Sequence, residues 1–230
     1  MSYMSYTRDE ILQMLKIHSL YQKGCVNWRG KTKKSDTGGG EYYTEIIAEK
    51  VLEDPQILNI PRGAVRGNFK FEGHDGTTEN PDSPRKEERF CLKKYTSRND
   101  ETTPFGKIIN YQVNILNNTK INVDLVAYDD TNDTLWLIEV KGHNGESAET
   151  LLRCVLEIET YYECLLPQKQ TLLATLCSKH ESVVTNEKTE IKKGIWVPRN
   201  STAAKEYAEL KNRPNLAKLI EQWNIKIETY

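Results

Sequence analysis

The sequence predicts an α/β protein, a central mixed β-sheet flanked by helices. Segments with strand character are interleaved with segments of helical periodicity, in the order helices, a hairpin of strands, helix, strand, strand, helices. One face of that hairpin is apolar from end to end, so another layer must cover it. At 230 residues with 37% hydrophobic side chains, the chain is long enough to bury a sizeable core without staples.

A first helix is expected from Thr7, because Thr7 and Glu10 have the capping-box spacing and Ile11, Leu12, Leu15 and Leu20 follow, with Gly24 ending it. A Gly/Lys/Ser-rich loop runs through Gly38, Gly39 and Gly40. A second helix spans about Glu41 to Leu52 on the stripe Ile46, Ile47, Val51 and Leu52, and Pro55 stops it. From about Ile60 to Thr103 the chain is polar and rich in Gly, Pro and Asp, a long exposed loop with a short strand at Arg89 to Tyr95. Strand segments follow: KIINYQVNIL, KINVDLVAY and TLWLIEV. A helix over about Ser147 to Leu166 carries Leu151, Leu152, Val155 and Tyr162 at helical spacing. TLLATLC and IKKGIWVP read as two more strands, Ser201 and Pro214 open two further helices, and IKIETY reads as a last strand. No internal repeat is visible. The organisation is one domain over 1–230, with an N-terminal helical extension over about 1–37 and a polar insert over about 60–104.

Composition excludes several classes. No run of about 18 apolar residues is present, so no transmembrane helix is expected and no membrane partner. MSYMSYTRDEILQML lacks the plan of a signal peptide, which points to a cytoplasmic location. Five irregularly spaced cysteines with no CxxC argue against a disulfide framework and structural zinc, and nothing local gathers the four thiolates of an iron–sulfur cluster. Lys and Arg total 32 against 33 Asp and Glu, so net charge alone does not point to nucleic acid. Two basic groups stand out locally: Arg29, Lys31, Lys33 and Lys34, then Arg85, Lys86, Arg89, Lys93, Lys94 and Arg98. Each taken alone reads as a solvated surface.

The chemistry concentrates in one hairpin. If its polar loop is centred between Thr131 and Asn132, Asp124 lies across from Glu139, and Asn122 from Lys141. Ile121, Val123, Leu125 and Ala127 with Trp136, Ile138 and Val140 form the apolar face. The opposite face ends in two carboxylates and a lysine. Carboxylates on directly opposed residues repel, and a divalent cation is the obvious group to offset that.

Asp124 followed after a short interval by Glu139-Val140-Lys141 resembles the core of the PD-(D/E)XK nuclease superfamily, with Val123 at the family's proline position. The resemblance covers about Gly38 to Leu52 and Lys107 to Cys177. It implies a restriction-endonuclease-like fold and an acidic residue on the first core helix, for which Glu45 is the better match and Glu41, one turn earlier, the second. It also points to Glu157 and Tyr161, at the spacing of the family's QxxxY pattern with Glu in place of Gln. The implied activity is Mg²⁺- or Mn²⁺-dependent hydrolysis of phosphodiesters, expected in double-stranded DNA and leaving a 5′-phosphate. Asp124, Glu139, the Val140 carbonyl and Glu45 would hold the metal, and Lys141 would position water or phosphate. Arg89, Lys93 and Lys94, interleaved with Phe90 and Tyr95, are the expected nucleic-acid contacts. A homodimer would present two such sites to a duplex. The alternative is a nucleic-acid-binding or interaction module on the same scaffold with catalysis lost.

Overall fold

The computed structural model describes residues 6–15, 20–22, 24–33, 40–60, 86–114, 122–142, 148–179 and 183–230. The polar insert from Pro61 to Arg85 lies outside the described residues, as do Lys34, Gly38, Gly39, Ile121 and His143.

The architecture is α/β, with a five-stranded mixed sheet flanked by helices. Helix α1 (Arg8–Met14) begins at the expected capping box. It is shorter than the apolar spacing suggested, and Leu20 and Gly24 belong to two 3₁₀ turns instead. Helix α2 spans Tyr43–Glu53. Helix α3 spans Lys86–Thr96, where a short strand was expected. Phe90, Cys91 and Tyr95 are all buried, and acids in the first turn and lysines in the last suit the helix dipole.

Strands β1 (Lys107–Asn114), β2 (Asn122–Asp129) and β3 (Thr134–Val140) form an antiparallel meander. Helices α4 (Leu151–Leu165) and α5 (Lys169–Lys179) then carry the chain to β4 (Glu190–Val197), which pairs parallel to β3. The segment TLLATLC, expected as a strand, lies inside α5. Leu172, Leu173 and Leu176 are buried at helical spacing, and Ala and Leu are good helix formers. Helices α6 (Thr202–Ala208) and α7 (Pro214–Gln222) lead to β5 (Ile225–Thr229), parallel to β4. The strand order is β1-β2-β3-β4-β5.

Both faces of the sheet are covered. Leu125, Ala127, Ile138 and Val140 meet Phe90 and Cys91 of α3, together with Phe105 and Trp196. The alternate set, Val126, Tyr128, Leu135 and Leu137, joins the larger core of α1, α2, α4 and α7. Gly194 of β4 lets Phe105 lie against the sheet, since a Cβ there would come within 2.6 Å of the ring. Among the described residues no helix is long and apolar enough to cross a membrane.

Candidate metal centre

The β2–β3 register is the one the loop predicts. Leu125 pairs with Ile138 and Val126 with Leu137, and one more step sets Asp124 across from Glu139. Here the ladder gives way to side chains. Asp124 Oδ2 accepts the Val140 backbone N–H at 2.9 Å, and Oδ1 accepts the Gln112 amide at 2.7 Å. Glu139, on the α4 side of the sheet, places Oε1 2.5 Å from Lys141 Nζ. Its Oε2 is buried and accepts no hydrogen bond from the protein. Helix α4 covers this pair, and Glu139 is only 2% exposed.

Helix α4 supplies the other half of the centre. Glu149, just before its N-cap Thr150, and Glu157, two turns in, lie 3.1 Å and 2.9 Å from Lys141 Nζ. Glu157 also accepts Arg153 Nε at 3.2 Å and the Tyr161 hydroxyl at 2.8 Å. The sequence-predicted Asp124, Glu139, Lys141, Glu157 and Tyr161 therefore converge. The helix starts where it does because Thr150 caps it and Glu206 of α6 accepts the Leu151 N–H at 2.7 Å.

Charge is unevenly shared here. Burial pushes the Asp124 carboxyl up to about 6, against the pull of Lys141 and the Val140 N–H. Burial also drives Glu139 well above the ordinary carboxylate range, and Asp124 and Glu157 add to the rise. Glu157 is held below that range, because Lys141, Arg153 and the Tyr161 hydroxyl outweigh its burial. Burial works against the Lys141 ammonium, but Glu139, Glu157, Asp124 and Glu149 leave it raised. Glu139 and Glu157 both touch Lys141 yet shift in opposite directions. The difference lies in the donors, since Glu157 has three and Glu139 has Lys141 alone plus a facing carboxylate. Without a cation, the Asp124–Glu139 pair is short of positive charge.

Besides Glu149 and Arg153, two further residues that the sequence did not single out belong to the centre. Gln112 lies across from Asp124, between the pairs Tyr111–Leu125 and Val113–Val123, and its backbone is left-handed at φ 47°. Its carbonyl faces the Asn122 amide at 3.5 Å. The signal was hidden by the irregular β1–β2 register between Ile108 and Asn110. Glu87 of α3 comes from the other face of the sheet and accepts the Gly142 N–H at 2.9 Å. Burial raises its carboxyl, and Lys141 opposes the rise. Reading 86–96 as a helix would have put this acid in a first turn.

Other expected residues sit elsewhere. Glu45 caps α7, with its two oxygens accepting the Asn215 and Leu216 N–H groups, each at 2.9 Å. Glu41 is exposed and paired with Arg8 at 2.8 Å. On α3, Arg89 is half-buried, Lys93 is exposed, and Lys94 is tied to Glu101 at 2.6 Å.

Two buried carboxylates, one with an unsatisfied oxygen, fit a hard divalent cation such as Mg²⁺ or Mn²⁺, which takes one or two carboxylates and completes its shell with other oxygens. Among the described residues no three His, Cys, Asp or Glu side chains are grouped to cage an ion. Searches of known protein families, curated proteins and solved structures return no match to this chain.

Proposed function

We propose that the chain is a divalent-metal-dependent nuclease that hydrolyses phosphodiester bonds in DNA, as the resemblance to the PD-(D/E)XK superfamily implies. The carrying observation is the buried, unsatisfied Oε2 of Glu139, a residue that stands opposite Asp124 one step beyond the paired register. Asp124, Glu139 and the Val140 carbonyl would hold Mg²⁺ or Mn²⁺. The bound cation would polarise a phosphate oxygen and lower the pKa of a water. Gln112 and the Val140 N–H fix the Asp124 carboxylate. Arg153 and Tyr161 fix Glu157, which in turn anchors Lys141. Lys141 is ion-paired with three carboxylates, so touching phosphate requires releasing one. Glu149 is the one to release, being the most exposed at 29% and the farthest at 3.1 Å. A phosphate oxygen taking its place keeps the ammonium paired while charge builds in the transition state.

The test is cleavage of labelled single-stranded and duplex DNA with Mg²⁺ or Mn²⁺, against EDTA. Glu139→Gln should lower the rate about a hundredfold or more. Full metal-dependent activity in that variant would remove the assignment. The saturation of Lys141 by three carboxylates also supports a second reading, a structural ion network on a scaffold that binds nucleic acid without cutting it. That reading expects no cleavage under any metal and no heat of Mn²⁺ binding in calorimetry.

A further inference from the structure

The basic group at Arg29, Lys31 and Lys33 lies beside the metal centre, on a segment whose shape is tightly fixed. Gly30 is left-handed at φ 112°. Lys31 bridges Tyr42 in an antiparallel pair, and the Thr32 N–H donates to the Glu41 carbonyl at 2.8 Å. Gly40 is required opposite, since a Cβ there would stand 2.0 Å from the Thr32 carbonyl oxygen. Residues 30–33 are thereby pinned against the start of α2. Arg29, Lys31 and Lys33 are exposed along this segment, and residues 28–33 contain no acid. Of the nearby carboxylates, Glu41 is already paired with Arg8, and Glu10, the N3 partner of Thr7 at the start of α1, lies within reach of the Lys33 charge. Trp28 stacks on Tyr6 with centroids 4.2 Å apart and planes 10° from parallel, and both rings are partly exposed.

The same segment touches the start of α4. Arg29 Nε donates to the Ala148 carbonyl at 3.0 Å, and the Thr150 N–H donates to Asn27 Oδ1 at 3.2 Å. Between these two contacts stands Glu149, the half-buried partner of Lys141. One residue thus separates the basic segment from the ion pair that a phosphate would replace.

We infer that Tyr6, Trp28, Arg29, Lys31 and Lys33 form a ridge that holds an unpaired nucleic-acid strand and leads it to Lys141. This rests on reading the centre as a phosphodiesterase site. The cations contact phosphates, as cations on a surface can with any nucleic acid. The aromatic pair decides for a single strand. A parallel Tyr–Trp stack is extended by a base with a free face, whereas a duplex offers base edges in its grooves.

Anisotropy of a labelled oligonucleotide, free and annealed to its complement, tests this on the full chain in EDTA. The single strand should bind at least about tenfold tighter than the duplex, and Trp28→Ala should remove about tenfold of that affinity while Trp28→Phe keeps most of it. Replacing Arg29, Lys31 and Lys33 together with Ala should make the slope of log K against log salt shallower by about two. These three side chains are exposed, so that variant keeps the test standing if Trp28→Ala does not fold. Unchanged single-strand affinity and salt slope in the ridge variants overturn the inference. Ridge-dependent strand binding by a chain that cuts nothing supports the ridge and removes the nuclease reading. Full cleavage with strand binding indifferent to the ridge overturns the ridge and leaves the metal centre.

Discussion

Glu139 and Gln112 both hold energetically unfavourable states at the centre. A buried carboxylate with a raised pKa facing another carboxylate costs stability wherever it ionises. At neutral pH, Glu139→Gln should therefore keep or raise the melting temperature measured in EDTA while it removes the cleavage measured with Mg²⁺, the pattern of a residue retained for chemistry. A clear fall in melting temperature would mean that Glu139 serves mainly to pair Lys141. Gln112 sets a strained left-handed backbone, worth about 1–3 kcal/mol, against a charge-assisted hydrogen bond of about 1.5–3 kcal/mol. Gln112→Gly relieves the first and loses the second, so urea denaturation should find it near neutral. Its cleavage rate should drop about tenfold, because Asp124 Oδ1 loses its donor. An undiminished rate would reduce Gln112 to a bulge residue. Asp124, Glu139 and Lys141 were legible because period-two alternation and one loop length fix their relation. Gln112 was not, because its place depends on an irregular strand pairing that no local pattern encodes.

Among the elements, α2 and α7 show how a carboxylate can match a motif and act elsewhere. Glu45 stands on the expected helix, but two N–H groups at the start of α7 hold both its oxygens. Glu45→Ala should cost about 1–2 kcal/mol in chemical denaturation, as a lost cap with a favourable dipole contact does. Glu45→Gln, which can still accept a hydrogen bond, should cleave at close to the normal rate per folded molecule. A large loss of rate in a fully folded Gln variant would return Glu45 to the metal. Long strands and capped helices were readable from Thr7, Ser201, Pro214 and the alternating runs. Helices α3 and α5 were misread because their apolar residues fall in adjacent runs, which satisfy strand and helix patterns alike. Length and the charges at the ends of α3 would have arbitrated.

For the whole molecule, the centre makes stability depend on pH in an uncommon direction. The Asp124 carboxyl is raised from its ordinary 3.8 to about 6, so between those values the folded chain binds more protons than the unfolded one. Stability from this group is present below the lower value and is lost as pH rises towards about 6, by roughly 3 kcal/mol. Urea denaturation in EDTA at pH 4.5 and 7, set against Asp124→Asn, isolates it, since the variant should lose less stability over that interval. Parallel curves for the two proteins would show that Asp124 is already ionised at the lower pH.

The double-sided burial of β3 has a further consequence, for how the reactive residues stay aligned. Leu135 and Leu137 belong to one hydrophobic layer, Ile138 and Val140 to the other. A slip of one residue would carry Glu139 and Lys141 into the aromatic layer around Phe105 and Trp196 and turn Val140 towards α4. The apolar residues therefore act as a ruler for the polar ones. Because the opposition of positions 124 and 139 is enforced by residues that take no part in the chemistry, the side chains at those two positions can be exchanged for others without the strands losing their place.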